Sequence, residues 1–391
     1  MALASRSSAT PPLLRHLNER TVLETVRERA PISRAEISRS AGISKPTVSA
    51  ALHSLLSAGL VREADSVDGL RYGATFFEAV PDAALALGLD LGARFFRGAV
   101  CDLSGAVLAR QDVELARAQV SAVLDLAAEL RRRLVATTAT ATGAVHGVVV
   151  GVPGVVTAGG DEIHFAENVH GLEGMRVRAA LEDRLGLPVR VENDVNLAAL
   201  GEQWRGVARG VEDFAFLSIG TGLGAGIVLG GELHRGHHGA AGEVDWALGA
   251  GLERESDPCA GALSAFAARL AADGAEPTEL RPPFDARSAF AAARGDDPIA
   301  RAVVAEEARR IALHIVPIAA VADVELVVLG GGIGVNGDLL LGPVREHLAR
   351  SLPYPPRIEA SSLGDAAVLS GALAVGREAA LDGVFENRQR A

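Results

Sequence analysis

The chain has 391 residues, 49% of them hydrophobic, which is more than one ordinary domain needs and excludes wholesale disorder. Its two cysteines, Cys101 and Cys259, can build neither a disulfide framework nor a cysteine-rich metal site. The net charge of −11 is uneven: residues 1–80 carry ten basic and eight acidic side chains, a net of +2, which leaves −13 on the rest. A mildly basic head on an acidic body suits a protein whose head meets nucleic acid while its body stays off the phosphates.

Residues 1–12 read as a flexible tail of Ser, Ala, Thr and Pro, without the basic-then-apolar order of a signal peptide. From there to residue 80 the pattern is that of a small DNA-binding domain. Leu17, Val22, Leu23 and Val26 line one side of a helix that runs to about Arg29, and Pro31 ends it. Ser33-Arg34-Ala35-Glu36 is a capping box, in which Ser33 satisfies a free backbone N–H and Glu36 reaches back. After a short second helix, Gly42 supplies a tight turn. Ser44 then caps a third helix with Pro46 in its first turn. Val48, Leu52 and Leu55 fall on the inward face of that helix. Lys45, the only lysine of the chain, faces out with Thr47, Ser49 and His53. A short polar set near a helix N-terminus is what a major-groove reader needs. Arg34, Ser44, Lys45, Pro46, Thr47, Ser49 and His53 are therefore the expected DNA-contacting residues. The runs 60–63 and 72–80 flank Asp68-Gly69 as a β-hairpin wing, with Arg71 near its tip for a phosphate or the minor groove. The competing reading is a three-helix module for protein contacts; the order of helix, box, turn, capped helix and hairpin favours DNA.

From Leu85 the pattern changes to apolar strands punctuated by glycine. Leu85 to Gly92 is a buried strand ending in Asp90-Leu91-Gly92, and Phe95 to Leu103 and Ala106 to Arg110 continue it as a meander. Val145 to Val150 opens onto Gly151-Val152-Pro153-Gly154. Val189 to Asp194 runs into a helix from Asn196 to Trp204. Phe214 to Ile219 leads into Gly220-Thr221-Gly222-Leu223-Gly224-Ala225-Gly226, and Glu325 to Leu329 into Gly330-Gly331-Gly332. Ile311 to Val335 is the most apolar stretch, but Asp323, Glu325 and four glycines mark it as buried helix and strand, not a membrane span. Strands with glycine at their carboxyl ends, alternating with helices, imply an α/β fold with two similar lobes around a cleft. The 220–226 run could cradle phosphate on backbone N–H groups or could be a tight hairpin. Asp194 could be a general base or a helix cap, the cap being the better reading of that residue alone. Asp90 could position a metal–phosphate complex or simply end a strand.

Taken in order, these motifs resemble the ROK family (repressors, open reading frames and kinases). The resemblance runs from about Asn18 to Gly376. It rests on the helix-turn-helix, Gly151-Val-Pro-Gly154, Glu192-Asn-Asp-Val-Asn196, Gly220-Thr-Gly-Leu-Gly224, Ala241-Gly-Glu243, Leu329-Gly-Gly-Gly-Ile333 and Leu363-Gly-Asp-Ala-Ala-Val-Leu-Ser-Gly-Ala372. It implies a winged helix-turn-helix over 13–80, followed over 84–391 by a two-lobed actin-like sugar-kinase (ribonuclease H-like) ATPase fold. Lobe one is expected at about 84–196 plus the C-terminal helix, and lobe two at about 197–370. The resemblance also implies that Asn168, Asn193, Asp194 and Glu243 face sugar hydroxyls, with Asp194 in the place of a kinase's catalytic base. Asp90, Gly92, Gly220, Thr221, Gly222, Gly224 and Gly331 stand where kinases hold phosphate.

Three departures modify what the resemblance implies. Arg94 stands where a small hydroxyl residue follows the first Asp-x-Gly in kinases, so the usual phosphate geometry is lost. Trp246 replaces a histidine that touches sugar and zinc; it could stack on a sugar face or fill the space of the lost metal loop, the second being favoured. Only Cys259 remains of the zinc cysteines, and His234, His237 and His238 precede the expected region, so no metal is expected. The reading that results is a cytoplasmic repressor of carbohydrate-related genes that binds double-stranded operator DNA as a homodimer or homotetramer. It needs no cofactor, makes no membrane contact, and responds to a sugar-like effector in the cleft. The rivals are an ATP-dependent sugar kinase with a DNA-binding head, and a repressor that no longer senses sugar.

Overall fold

The computed structural model describes residues 11–64, 75–115, 120–138, 144–157, 162–164, 174–248, 256–274 and 276–390. The head opens with α1 (Pro11–Arg29), which starts two residues inside the segment read as tail. Strand β1 (Ile32–Ser33) and α2 (Arg34–Ala41) follow. The capping box forms as the sequence predicts: Ser33 N–H donates to Glu36 Oε2 at 2.9 Å, and Glu36 N–H donates to Ser33 Oγ at 3.4 Å. Gly42 ends α2 at φ +66°, a conformation a side chain would strain. In α3 (Lys45–Ser57), Val48, Leu52 and Leu55 are buried, as their spacing requires. The wing is β2 (Val61–Glu63) paired antiparallel with β3 (Phe76–Ala79), and β1 joins it on the other edge of β3 to make a three-stranded sheet.

The body repeats one topology twice. Its first sheet comprises β4 (Ala84–Leu91), β5 (Phe95–Asp102), β6 (Val107–Glu114), β7 (Ala144–Val152) and, beyond the short pair β8 (Val155–Val156) and β9 (Ile163–His164), β10 (Val189–Asn193). Its spatial order is β10-β7-β4-β5-β6. The second comprises β11 (Phe214–Ile219), β12 (Leu223–Leu229), β13 (Glu232–Leu233), β14 (Leu326–Gly330) and β15 (Arg357–Ala360), ordered β13-β12-β11-β14-β15. In each sheet an antiparallel meander of three strands is followed by two strands parallel to the first. This equivalence bears out the two lobes expected from the repeated strand-glycine pattern, and the architecture is an actin-like sugar-kinase fold behind a winged helix-turn-helix.

Helices α4 (Val120–Thr137) and α5 (Val177–Leu185) cover one face of the first sheet. The other face is covered by the C-terminal helix Ala367–Arg390, which packs along α6 (Asp194–Arg205). The two helices cross so closely that a Cβ on Gly371 would stand 1.8 Å from the Leu197 carbonyl oxygen. No larger residue fits there.

Head and body share one apolar core. A continuous buried cluster runs from Val22, Leu23, Val26 and Phe77 through Ala86, Cys101 and Leu103 to Leu373, Leu381 and Phe385. Around it, Arg20 of α1 pairs with Asp382 and Glu378 of the C-terminal helix, and Arg27 donates to the Leu103 carbonyl at 2.7 Å. The head is docked against lobe one, not tethered by a free linker. Among the described residues, no helix is long and apolar enough to cross a membrane.

Candidate functional site

Two surfaces carry the residues singled out from the sequence. On the head, Ser44, Lys45, Pro46 and His53 are exposed, and Thr47 and Ser49 are partly so. Lys45, Ser49 and His53 recur every fourth residue and therefore share one helical face. Ser44 Oγ accepts from the Thr47 N–H at 3.4 Å and shares a 2.8 Å hydrogen bond with Thr47 Oγ1, so the cap also fixes the threonine rotamer. Ser49 Oγ donates back to the Lys45 carbonyl at 2.9 Å, which leaves its lone pairs facing out. Arg34 is exposed at the start of α2, its guanidinium 5.9 Å from the centre of the Phe77 ring in the wing. Arg71 and the wing tip lie outside the described residues.

The second surface is the floor of the cleft, where the carboxyl ends of β4 and β10 meet the N-terminus of α6. Ligands in α/β folds gather at such strand ends. Here the sequence reading needs correcting. Helix α6 begins at Asp194, not Asn196, and its cap is Asn193, whose side-chain oxygen accepts from the Asn196 N–H at 2.9 Å. The Asn193 amide also donates to the Gly154 carbonyl at 2.9 Å, tying the 151–154 turn to the cleft floor. Freed from capping, the Asp194 carboxylate accepts from the Val195 N–H at 2.8 Å. Burial pushes its pKa up to about 7, and the nearby charges of Asp90 and Glu243 push the same way. Burial also raises Glu243, reinforced by Asp245. Three acidic groups thus converge on one point. Asn168 lies outside the described residues.

Asp90 is almost wholly buried within β4, and the hairpin register sets it directly opposite Arg97 of β5. Arg97 Nη1 donates to Asp90 Oδ2 at 3.0 Å and its Nε lies 3.6 Å from Asp112 of β6. Burial still pushes Asp90 up to about 6, against the pull of Arg97. The turn that follows is closed on itself, because Gly92 N–H donates to the Phe95 carbonyl at 3.0 Å. Arg94 is exposed and lies 5.7 Å from the Phe95 ring centre. Sequence reasoning missed Arg97, although counting residues around the turn would have placed it opposite Asp90.

The glycine run of lobe two divides into two parts. Gly220, Thr221 and Gly222 form the turn between β11 and β12, with Gly220 N–H donating to the Gly222 carbonyl at 3.0 Å. Gly224 and Gly226 lie inside β12 against α6, where a Cβ on Gly226 would meet the Val195 carbonyl oxygen at 2.7 Å. The second half of the run therefore serves helix packing. Gly331 opens the turn after β14 at φ +75°, with space for a Cβ closed by the Ile219 backbone at 2.3 Å. A Cβ on Gly220 would be 3.6 Å from the Gly332 nitrogen, so the two glycine turns adjoin across the top of the second sheet.

Trp246 corrects a second expectation. It is 58% exposed and so does not fill the space of a metal loop. The family's zinc set does not fit the described residues. Trp246 offers no metal donor, Cys259 is one sulfur with its thiol pushed up by burial, and no three His, Cys, Asp or Glu side chains come together as a metal site among them. Residues 249–255 lie outside the described part. Buried Glu192, also missed from sequence, accepts from Arg235 at 2.6 and 2.8 Å and from Asn196 at 3.1 Å, and so anchors the loop before Glu243 to the strand before Asp194.

With the fold and cleft in place, comparison with known proteins decides the family. The sequence profile of the ROK family matches residues 86–379. The chain belongs to the ROK family. Residues 16–71 of this ROK protein match the MarR family profile. The xylose repressor of Caldicellulosiruptor bescii is 27% identical over 93% of this chain and 96% of its own. A solved ROK family transcriptional regulator, a homolog of the E. coli MLC protein, superposes with a TM-score of 0.81 at 22% identity, covering 96% of this chain and 98% of its own. A ROK family glucokinase from Streptomyces griseus, solved with glucose and AMPPNP, gives a TM-score of 0.63 at 27% identity over 75% of this chain and 99% of its own. The repressor matches span head and body, and the glucokinase match spans three quarters of the chain.

Proposed function

We propose that this ROK protein is a sequence-specific repressor of carbohydrate-related genes, released from its operator by a small sugar or sugar derivative bound on the cleft floor. The observation that carries this reading is the pairing of an intact polar floor (Asn193, Asp194, Glu243) with a first phosphate turn whose groups are engaged elsewhere. Asp90 is held by Arg97 and the Gly92 N–H by Phe95. A site that grips sugar hydroxyls without gripping a γ-phosphate binds its ligand and does no chemistry on it. Exposed Trp246 offers a face for an apolar sugar ring. The xylose repressor among the relatives makes a pentose the first effector to try. Two heads of a homodimer or homotetramer read the halves of a palindromic operator, and no cofactor or metal takes part. Asn168 and Arg71 belong to this proposal as a sugar contact and a wing-tip backbone contact.

The deciding experiment is a thermal-shift screen of pentoses, hexoses and their phosphates, followed by fluorescence anisotropy on promoter DNA with each hit. A hit that raises the melting temperature and releases DNA supports the proposal. Thr47→Ala is expected to weaken binding to the operator more than to random DNA. Lys45→Ala is expected to weaken both alike and to reduce the salt slope by about one. The second reading, a sugar kinase with a DNA-binding head, is favoured by the Asp194 pKa near 7, which suits a general base. ATP-dependent turnover of any sugar that Asp194→Asn abolishes would establish it. Operator binding that no sugar alters would point instead to a repressor deaf to sugars.

A further inference from the structure

Glu192 is a buried carboxylate in β10 whose two oxygens serve different lobes. Its Oε1 accepts from the Asn193 N–H at 3.2 Å and from the Asn196 side-chain amide at 3.1 Å, and so grips the first turn of α6 at the cleft floor. Its Oε2 accepts from Nε and Nη2 of Arg235 at 2.8 and 2.6 Å. Arg235 belongs to lobe two, two residues beyond the end of β13. Among the described residues it is the one cation within ion-pair distance of Glu192. A buried carboxylate stripped of its cation is strongly unfavourable, so this contact holds the two lobes together at the floor.

The segment that Arg235 opens, residues 235–243, is built as a strap. Both of its ends are fixed on β12: His234 N–H donates to the Ile227 carbonyl at 2.7 Å, and Ala225 N–H donates to the Gly242 carbonyl at 2.8 Å. Between them the chain folds back on itself, with Ala241 N–H donating to the Arg235 carbonyl at 3.1 Å. Its middle leans on lobe one. Gly239, at φ +85°, approaches β8 so closely that a Cβ would stand 2.1 Å from the Val156 carbonyl oxygen. The strap ends at Glu243, one of the acidic groups that converge on Asp194. The place of Glu243 above Asn193 and Asp194 is therefore set by two contacts between the lobes, Arg235 with Glu192 and Gly239 with Val156.

We propose that Arg235 is a positioning residue of the effector site: by latching the strap of lobe two to Glu192 of lobe one, it holds Glu243 over the cleft floor. The sugar then meets a preformed set of groups drawn from both lobes. Opening the latch withdraws Glu243 and leaves the floor to bind alone, and therefore more weakly. This rests on the reading of the floor as the effector site, whereas the latch itself is a property of the chain without ligand.

The test compares the full chain with Arg235→Met, Arg235→Met/Glu192→Gln and Gly239→Ala, by hydrogen exchange and by titration with D-xylose. The Ala241 and Glu243 amides, hydrogen-bonded within the strap, report its closure. In Arg235→Met their exchange is expected to be about tenfold faster or more, with xylose binding weakened about tenfold and a lower melting temperature. Adding Glu192→Gln removes the stranded charge and keeps an oxygen for Asn193 and Asn196. The melting temperature is then expected to recover while exchange stays fast and xylose binding weak. Recovery of all three together marks a pair that only stabilises the fold, and overturns the proposal. Gly239→Ala pushes the strap off Val156 without removing a charge, and is expected to reproduce the fast exchange and weak binding. Unchanged exchange at Ala241 and Glu243 in Arg235→Met also overturns the proposal. The exchange arm needs no ligand, so a parent that fails to bind xylose counts against that effector and leaves the latch to be decided by exchange.

Discussion

Asp194 stands at the bottom of the cleft with its pKa raised from 3.8 to about 7. A folded-state pKa above the unfolded value means that the native state holds its proton more tightly. Stability then falls as pH rises from about 4 to about 7, and above pH 7 the full penalty of ionisation is present. At about 1.4 kcal/mol per pH unit, the penalty at pH 8 is on the order of 4 kcal/mol. Asp194→Asn removes the ionisation while keeping an oxygen to accept from Val195 N–H. The variant is therefore expected to be more stable than the parent at pH 8 by about 2–4 kcal/mol, with less than half of that gap left at pH 5. Urea denaturation followed by tryptophan fluorescence measures this in the right place, because both tryptophans, Trp204 and Trp246, lie in the body. The same substitution should abolish any effector response. A variant no more stable than the parent at pH 8, or a gap that does not change with pH, would refute the buried-carboxylate reasoning.

Gly371→Ala is expected to lower body stability by about 1–3 kcal/mol or more, since its methyl would collide with the Leu197 carbonyl. Gly261→Ala, with open space around it in helix Ala260–Asp273, is expected to leave stability unchanged or raise it by about 0.5–1 kcal/mol, and thermal melts compare the two. Ser44→Ala removes the cap of α3 at a cost of about 1 kcal/mol, visible as faster hydrogen exchange across residues 45–57 and weaker operator binding. If a sugar stacks on exposed Trp246, its addition changes the fluorescence, and Trp246→Phe removes that change while DNA binding in the absence of sugar stays as it was.

The head was legible almost residue by residue. The Ser33–Glu36 box, the Gly42 turn, the Ser44 cap and the inward set Val48, Leu52 and Leu55 are all decided within a few neighbours along the chain. The two lobes were legible from glycines at strand ends, because backbone crowding at a turn leaves its mark at the turn itself. What escaped depends on register or on distant partners. The Asp90–Arg97 pair needs the exact length of a hairpin. Assigning Asn193 and not Asp194 as the cap needs the first turn of α6 to be placed to one residue. Gly224 and Gly226 looked like part of a loop until a helix was set against them. The exposure of Trp246 and the docking of α1 on the C-terminal helix join segments whose sequences carry no sign of one another.

That last helix has a consequence for how the protein is made. Strands of the first sheet begin at residue 84, yet the helix that covers their second face and buries the underside of the head spans 367–390. A ribosome releasing the chain from its N-terminus exposes Ala86, Cys101 and Leu103 throughout the synthesis of lobe two. The head, whose contacts are local, can take its shape early and meet Leu103 of lobe one, but its ion pairs and apolar contacts with the C-terminal helix form only when the final segment emerges. The window is long, and it is the sheet of lobe one, not the DNA-binding domain, that a chaperone would have to shield.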